Sequence, residues 1–459
     1  MTNTLQQPKG FYQSVFALMI PIVLSNLITH TVALADTFMV GALGDEYLAA
    51  ATAATTPLFL FLIFTFGVQS GVGILVAQYW GKGNTNAINR VLGVGLYFSV
   101  GFTLVGALLV AIFPHHILGL ITSNKDLVEL GASYVQIVGF SMVLNAISLV
   151  YISCQRSMEN TKLAVVVLSI SSVFNIFGNW VLIFGNLGFE ALGMEGAAWS
   201  TLTARFIEVV IISIYALRNS RLPLRIKLLL KPGMVIFKDF IKYSLPVLLN
   251  EALWGFGAML FPVIFGHMAT APTILAAYAL SGNIERIFAV ALFACGGATA
   301  VIIGRELGAG RRERIESTAN SLLKLGVILG LSSGALLMLV RFTILEPVIF
   351  PLLKLSGDSY SAALTMLTIV AFSIPMRSAG FTMGIGILRG GGDVKALMII
   401  DVSTLYIISL PIAAIAGLVF KADIAFVYSG ILVEDIVKTT LLYRRVRKKK
   451  WIHDVTRDI

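Results

Sequence analysis

Charged residues are scarce in this sequence, and their scarcity decides the class of protein. Asp, Glu, Lys and Arg make up 13% of the 459 residues, whereas 57% of the residues are hydrophobic. A soluble globular domain has roughly a quarter charged residues and a little under half apolar ones. No soluble core could bury this excess of apolar side chains, so the composition excludes a soluble domain and predicts a membrane protein.

Cysteine is almost absent as well. The two cysteines, Cys154 and Cys295, lie far apart, within or beside apolar stretches. Disulfide frameworks and cysteine metal sites need clustered spacings, so we expect two small apolar side chains at helix contacts instead. The sequence also lacks an HExxH motif, and no recognisable nucleophile or metal set indicates catalysis. We therefore expect a protein that is not an enzyme and has no cofactor.

Long apolar stretches are abundant. A helix needs about 20 apolar residues to cross the bilayer core, and runs of that length predict twelve transmembrane helices. The polar start, MTNTLQQPKG, has no cleavage site behind it, so we expect the first helix to be retained. The predicted helices lie at about 13–38, 48–75, 91–113, 129–150, 163–185, 195–216, 242–264, 277–303, 318–340, 361–386, 396–419 and 422–443.

A basic, amphipathic segment divides these helices into two sets of six. We therefore predict an all-α membrane protein with twelve transmembrane helices in two pseudo-symmetric six-helix lobes. The lobes are expected at 1–216 and 242–443, joined by a cytoplasmic linker at 217–241 and followed by a basic cytoplasmic tail at 444–459.

Lys and Arg residues are distributed unequally between the two sides of the membrane. With a cytoplasmic N-terminus, 26 of the 34 fall in predicted inside segments and four in outside loops. This asymmetry obeys the positive-inside rule, so both termini are expected in the cytoplasm. It also accounts for the net charge of +10 without a nucleic-acid partner. Basic tails of this kind contact anionic lipid headgroups, so the lipid bilayer is the expected partner.

The second half of the chain repeats landmarks of the first at offsets of 225, 227 and 233 residues. Halves with the same topology are expected to be related by an axis along the membrane normal, with a cavity between them. A channel could share this symmetry, but no filter-like segment lies between the predicted helices, so a carrier is favoured. The aligned pairs are Pro21 with Pro246, Gly81 with Gly308, Gly83 with Gly310, Arg156 with Arg389 and Lys162 with Lys395.

At these landmarks the chain resembles the multidrug and toxic compound extrusion (MATE) family over nearly its whole length. Further matching segments are ADTFMVGALGDEYLAA, QRSMENTK, LRGGGDVK, NIFGNWVLIFG and LGMEGAAWST. The resemblance implies a bacterial inner-membrane antiporter that exports amphipathic, often cationic, drugs or metabolites in exchange for inward H⁺ or Na⁺. Alternating access by rocking of the lobes would expose the cavity to each side in turn.

Asp36 is the first of two candidate coupling residues. It lies about five residues from the outer end of the first predicted helix. Acidic residues inside a membrane are functional by default, because they are costly to bury. The alternative is a helix-end carboxylate solvated from outside. The resemblance implies that Asp36 is the coupling aspartate of the family segment.

Glu251 is the second candidate. It lies about nine residues into the seventh predicted helix, a depth at which protonation and cation binding compete. The resemblance places it at the glutamate that one branch of the family uses for ion coupling. The alternative is a structural ion pair with Arg286 or another buried cation. A Na⁺ ion at Glu251 or Asp36 is possible on this interpretation.

The sequence departs from both branches of the family, so the coupling ion stays open. Asn175 is followed four residues later by Asn179, where the resemblance to the proton-coupled branch implies an aspartate. Asn179 keeps the hydrogen-bonding capacity but cannot titrate. Arg377 stands about where the Na⁺-coupled branch has an aspartate. It could repel cations, hold a carboxylate or reach the outer headgroups.

Other polar and aromatic side chains are candidates for lining the site. Trp254, one turn past Glu251, could contact flat cations through its ring. Glu434 and Lys438 are four residues apart in the last helix and predict an internal ion pair. Glu285 and its neighbour Arg286 point apart and need separate partners. The full set of possible lining residues is Asn26, His30, Asn175, Asn179, Trp254, Asn283, Arg286 and Arg377.

The alternative function is a flippase for a lipid-linked substrate of the same fold group. Such a protein would expose several arginines to a pyrophosphate. Here only Arg205, Arg286 and Arg377 lie within predicted helices, and Asp36 and Glu251 oppose them. A small amphipathic cation is therefore the expected substrate, and we expect the protein to act as a monomer.

Overall fold

The computed structural model describes residues 9–268, 271–349 and 357–458. These residues form helices joined by short turns, and no strand occurs among them. The all-α prediction is confirmed. We number the helices α1 to α15 in chain order.

The first half of the chain contains nine helices, two of them short. The second predicted helix is divided at Pro57, which has no N–H to donate to the preceding turn. The helices are α1 Phe11–Gly41, α2 Asp45–Thr55, α3 Phe59–Gly81, α4 Thr85–Ile112, α5 Pro114–Gly119, α6 Lys125–Ser157, α7 Lys162–Phe184, α8 Gly193–Arg218 and α9 Ile226–Leu230.

The second half contains six long helices. Here α10 begins eight residues before the predicted position, so the end of the predicted linker is helical. The helices are α10 Met234–Gly266, α11 Ala271–Gly308, α12 Arg312–Ile349, α13 Gly357–Leu388, α14 Val394–Val419 and α15 Ile424–Arg447.

Eleven helices of the described chain are long and apolar enough to cross a membrane. The last helix, α15, has 24 residues but carries Glu434, Asp435 and Lys438 near its middle. Those charges lower its hydropathy, although its length suits a bilayer. The twelve-helix arrangement is therefore confirmed, and its twelfth member, α15, is polar because it carries these three charges.

The repeated glycine loops have the same backbone conformation in both halves. Gly83 follows α3 with a φ of 76°, and Gly310 follows α11 with a φ of 70°. Side chains rarely adopt this left-handed region, which is why glycine recurs at the end of both helices. Asn84 then accepts a hydrogen bond from the Ala87 N–H at 3.0 Å and begins α4.

The described chain divides into two compact units. One, which we call the N unit, contains residues 20–248 and the tail from Thr456 onward. The other, the C unit, contains residues 249–455 and the start of α1 up to Met19. The lobe boundaries expected from the sequence stay a prediction. Both cysteines, Cys154 in the N unit and Cys295 in the C unit, are buried and free.

The basic tail contacts the protein itself. In the C unit, Trp451 is buried and its indole N–H donates to the Val446 carbonyl at 3.0 Å. In the N unit, Arg457 donates to both carboxylate oxygens of Asp239 at 2.5 and 2.7 Å. These hydrogen bonds raise the pKa of Arg457. Arg457 is therefore held by a protein carboxylate rather than left for lipid headgroups.

Glycines bring α7 and α8 into close contact within the N unit. A Cβ on Gly196 of α8 would lie 2.5 Å from the Leu182 carbonyl oxygen of α7. On the other side of the pair, a Cβ on Gly178 would lie 2.6 Å from the Ser200 hydroxyl oxygen. Only glycine permits this spacing, and the spacing brings the polar faces of α7 and α8 together.

We expect Gly196→Ala to destabilise the protein by about 1–3 kcal/mol, because the new methyl group overlaps a backbone oxygen that cannot rotate away. Thermal unfolding of the purified protein measures the effect. Gly101→Ala is the matched control, since nothing lies within 4 Å of a Cβ there, and it should be neutral or slightly stabilising. Equal melting temperatures for the two variants would contradict the close α7–α8 contact.

Candidate functional site

A line of polar side chains runs along the contact between α7 and α8. Ser171, Asn175 and Asn179 follow one another at intervals of four residues, so they share one face of α7. All three are buried. Thr201 and Glu208 lie on the facing helix, α8, seven residues apart and therefore also on one face.

Asp36 of α1 joins this line at the Asn179 end. The Asn179 side-chain amide donates to the Asp36 carboxylate, with 2.5 Å between Nδ2 and Oδ1. Asn179 is fully buried, whereas Asp36 is half-buried. The carboxylate is therefore stabilised by a neutral donor on one side and is accessible on the other. A carboxylate in this position can bind or release a proton or another cation without first breaking an ion pair.

Two buried amide oxygens lie on the same face of α7, and one of them belongs to Asn179, whose amide nitrogen binds this carboxylate. Asn175 donates from Nδ2 to the Thr201 hydroxyl at 3.4 Å, and its backbone carbonyl accepts from the Ser200 hydroxyl at 2.7 Å. The Oδ1 atoms of both Asn175 and Asn179 are buried without a partner among the described residues. Carboxylate, amide and hydroxyl oxygens are the ligands that hard cations prefer. This set can bind a Na⁺ ion or stabilise a protonated Asp36.

Glu208 lies at the Ser171 end of the line and was not anticipated from the sequence. Its side chain is 1% exposed, and its Oε1 accepts from the Ser171 hydroxyl at 2.7 Å and from Arg205 at 2.5 Å. Arg205 precedes it by three residues, a spacing that predicts neighbours on one face. This spacing was the one feature of the sequence that could have indicated the pairing of Glu208 with Arg205. Glu208 and Arg205 neutralise each other, so Arg205 is not an unpaired cation.

Glu251 of α10 forms an ion pair in the C unit. Arg389 donates from Nη2 to the Glu251 Oε1 at 3.0 Å. The Arg389 side chain is 6% exposed, although its position in the sequence indicated only an inside-loop charge. The structure therefore shows the alternative considered for Glu251, an ion pair with a buried cation, and that cation is Arg389 rather than Arg286. The pairing is compatible with ion coupling, because protonation of Glu251 would release the pair.

A group of charged side chains lies between α11, α13, α14 and α15 of the C unit. Lys438 contacts Glu434 at 2.8 Å, so the predicted ion pair is confirmed. Arg377 bonds to Glu285 and Asp435. Holding a carboxylate was one of the alternatives considered for Arg377, and the structure shows it bound to two.

The remaining candidate lining residues are placed individually. In the N unit, Asn26 is half-buried and His30 is exposed. In the C unit, Trp254, Asn283 and Arg286 are exposed. The structure records no ion pair for Arg286 and no side-chain hydrogen bond for the other four within its described ranges. Their assignment to a site stays a prediction.

One segment matches the spacing of a hydrolase motif but has the wrong structure for it. Residues 330–334 read GLSSG, which is GxSxG spacing. A nucleophile serine of that class lies on a sharp turn between a strand and a helix. Here Ser332 lies within the continuous helix α12 and donates to the Ile328 carbonyl at 2.9 Å. The segment is an ordinary helical turn.

The comparisons with known proteins agree with the duplicated architecture. The family model described as MatE matches residues 21–181 and again 246–415, so its two matches begin at Pro21 and Pro246, which the repeat aligned. The chain belongs to the MATE family. It is therefore a multi-pass membrane transporter of a family associated with drug efflux.

Relatives of this MATE transporter match along nearly its full length. It is 24% identical to the probable multidrug resistance protein YoeA of Bacillus subtilis, over 96% of this chain and 95% of the relative. It is 21% identical to the probable multidrug resistance protein NorM of Thermotoga maritima, over 95% and 92%. Identities this low do not transfer side-chain roles.

Solved structures share the fold of this MATE transporter. A MATE structure in the bent conformation has a TM-score of 0.84 and 20% identity over 96% of both chains. A MOP superfamily transporter from Pyrococcus furiosus, for which reverse polarity of the binding pocket is reported, has a TM-score of 0.82 and 18% identity over 96% of both chains.

A double-mutant cycle tests the Glu251–Arg389 pair. Breaking a buried ion pair by removing one partner costs about 3–5 kcal/mol, because the other charge is left uncompensated. We expect Arg389→Ala to lower the free energy of unfolding by an amount in this range. The double variant Arg389→Ala with Glu251→Gln should recover part of that loss. Lys395→Ala is the control, because Lys395 is a cation shortly after Arg389 in the chain and its side chain is exposed. Strictly additive effects would contradict the pairing.

Proposed function

We propose that this protein is a secondary active antiporter that works by alternating access. It exports small amphipathic cations, drugs or metabolites, in exchange for inward H⁺ or Na⁺. Asp36 and Glu251 carry the coupling ion, one in each unit. The observation that supports this most directly is the Asp36 carboxylate, which is held by the neutral amide of Asn179 rather than by a cation.

The Asp36 environment suits reversible cation binding. A membrane carboxylate locked in an ion pair would have to break that pair before it could bind a cation. Asp36 has an amide partner instead, so its negative charge is available to an incoming ion or to a cationic substrate. Competition between the coupling ion and the substrate for one charge gives exchange rather than co-transport, since both cannot be bound at once.

The Glu251 environment suits a switch. In the ionised state the carboxylate holds Arg389 at 3.0 Å. When a proton or Na⁺ neutralises Glu251 of α10, Arg389, which directly follows α13, loses this contact. The coupling ion therefore alters packing in the C unit, as a conformational transporter requires.

The substrate is proposed to be cationic because the arginines within the helices are occupied. Arg205 binds Glu208, and Arg377 binds Glu285 and Asp435. A flippase for a lipid-linked pyrophosphate would need several arginines free to hold phosphate oxygens. Arg286 alone is a weak basis for that alternative. We further propose that the protein lies in the plasma membrane with both termini in the cytoplasm, following the distribution of Lys and Arg. We also propose that it acts as a monomer.

Efflux of a fluorescent lipophilic cation from cells tests the proposal, with Na⁺ and pH gradients applied separately. The double variant Asp36→Asn with Glu251→Gln should lose gradient-driven efflux by about tenfold or more, because neither unit then carries an acid that the coupling ion can neutralise. The gradient that drives the wild type identifies the ion.

The matched control is Asp126→Asn with Asp423→Asn. Both of these aspartates are exposed at helix starts. Asp423 caps α15, where asparagine caps equally well, and Asp126 lies in the first turn of α6, which Asn124 caps. Their double variant should export like the wild type. Retained coupled efflux in the Asp36 and Glu251 variant would contradict the assignment of both coupling residues.

A further inference from the structure

The connection between α8 and α10 in the N unit carries positive charge and no negative charge. α8 ends at Arg218 and α10 begins at Met234, and both helices are long and apolar enough to cross a membrane. The connection therefore lies at a membrane surface. No Asp or Glu occurs from Arg218 to Lys238. We call the exposed cations of this stretch the linker cations, and they are Arg218, Arg221, Arg225, Lys227, Lys231 and Lys238.

The linker cations have no carboxylate partners. None of them forms an ion pair with another described residue. Asp239, which follows directly, is buried and paired with Arg457. The connection between α11 and α12 differs, because Arg311 there contacts Glu306 at 3.4 Å. Neighbouring positive charges repel one another unless an anion lies near them, so the linker cations favour an anion from outside the chain.

Apolar side chains are exposed beside these charges. Ile226, Leu230 and Met234 are each more than half exposed. Ile226 and Leu230 are four residues apart and share one face of α9. Exposed apolar side chains among Lys and Arg are typical of a segment that lies in the headgroup region, with its apolar side chains toward the acyl chains. A soluble polyanion would leave these side chains in water, so the combination favours a lipid.

Helix α4 holds the backbone of this connection. Gly93 of α4 permits the close contact, because a Cβ there would overlap the Leu229 carbonyl oxygen. The hydrogen bonds run from Tyr97 to the Leu230 carbonyl at 3.0 Å, from Arg90 to the Pro232 carbonyl at 3.1 Å, from Asn89 to the Pro223 carbonyl at 3.2 Å and from the Arg225 N–H to Asn89 at 3.0 Å. The backbone groups are satisfied by α4, while the cations and the apolar side chains stay exposed.

Two of the linker cations, Arg225 and Lys227, border an open groove of about 510 Å³. This volume lies within the range of small-molecule sites, so the groove has room for a phosphate headgroup. No carboxylate lines it, and both cations can donate hydrogen bonds to phosphate oxygens. The lining residues are Asn86, Leu224, Arg225, Ile226, Lys227 and Leu228.

From the unpaired linker cations, the exposed apolar side chains and the groove together, we infer that the connection between α8 and α10 is a binding site for an anionic phospholipid. The lipid phosphate lies in the groove against Arg225 and Lys227. Ile226 and Leu230 contact the acyl chains beside it. The other linker cations contact neighbouring anionic headgroups.

Lipid binding at this site is independent of the proposed antiport, because no coupling ion and no exported substrate takes part in it. It also differs from the lipid contact expected of the basic tail. In the tail, Arg457 is held by the Asp239 carboxylate and Lys449 lies 2.5 Å from Glu316. The linker cations have no such partners in the described part of the chain, so their charge is available to the lipid.

Binding of fluorescent phosphatidylglycerol to the purified full-length protein in detergent tests the site, with fluorescent phosphatidylcholine as the neutral lipid. We expect the wild type to bind phosphatidylglycerol about tenfold more tightly or better, because each Lys or Arg near an anionic headgroup adds to the attraction. The double variant Arg225→Gln with Lys227→Gln should lose most of this preference. Added NaCl should weaken the binding of phosphatidylglycerol more than that of phosphatidylcholine, since salt screens exposed charges.

The matched control is Arg312→Gln with Arg314→Gln, which removes the same charge from two exposed arginines beside Glu313 and Glu316. It should keep the wild-type preference. A preference that the Arg225 and Lys227 variant retains, or that the control loses equally, would overturn the inference. Displacement by inorganic phosphate beyond that by NaCl of equal ionic strength would also overturn it, since the site would then take a free anion. Efflux does not enter this measurement, so the antiport proposal can fail while the lipid site stands, and the reverse.

Discussion

Moving a carboxylate from water into a membrane is costly unless polar partners replace the lost water, and this cost explains how the buried acids of the chain are arranged. Asp36 is held by the Asn179 amide, and Glu208 by Arg205 and Ser171. Glu251 is held by Arg389. The folded arrangement of the helices that carry these groups depends on these contacts. Without them, a buried ionised acid would destabilise the folded state or take up a proton.

The two units meet the same constraint by different chemistry. Proline and the glycine loops repeat between the halves, and the backbone angles of Gly83 and Gly310 agree closely. The acids do not repeat: Asn26 stands where the second half has Glu251, and Phe261 stands where the first half has Asp36. The N unit therefore stabilises its accessible acid with a neutral amide, whereas the C unit uses arginine and lysine. A duplicated scaffold with unequal charges permits two coupling steps of different character.

Much of the fold could be predicted from the sequence, but little of the site. Apolar run length identified the membrane helices, and the i to i+4 spacing of Glu434 and Lys438 identified their ion pair. Both signals are local. The partners of Glu251 and Arg377 lie between 58 and 138 residues away, and helical periodicity does not show which face of another helix a residue meets. Glu208 was missed for the same reason, since its burial depends on the glycine-mediated contact of α7 with α8.

In the proposed antiport, the coupling ion and the cationic substrate compete for the same membrane acids. The most direct test is the affinity of the purified protein for a fluorescent lipophilic cation, measured across a range of pH and of NaCl concentration. We expect wild-type affinity to fall as the concentration of the coupling ion, H⁺ or Na⁺, rises, and the Asp36→Asn, Glu251→Gln double variant to lose this dependence. The same ion dependence in both proteins would contradict this competition.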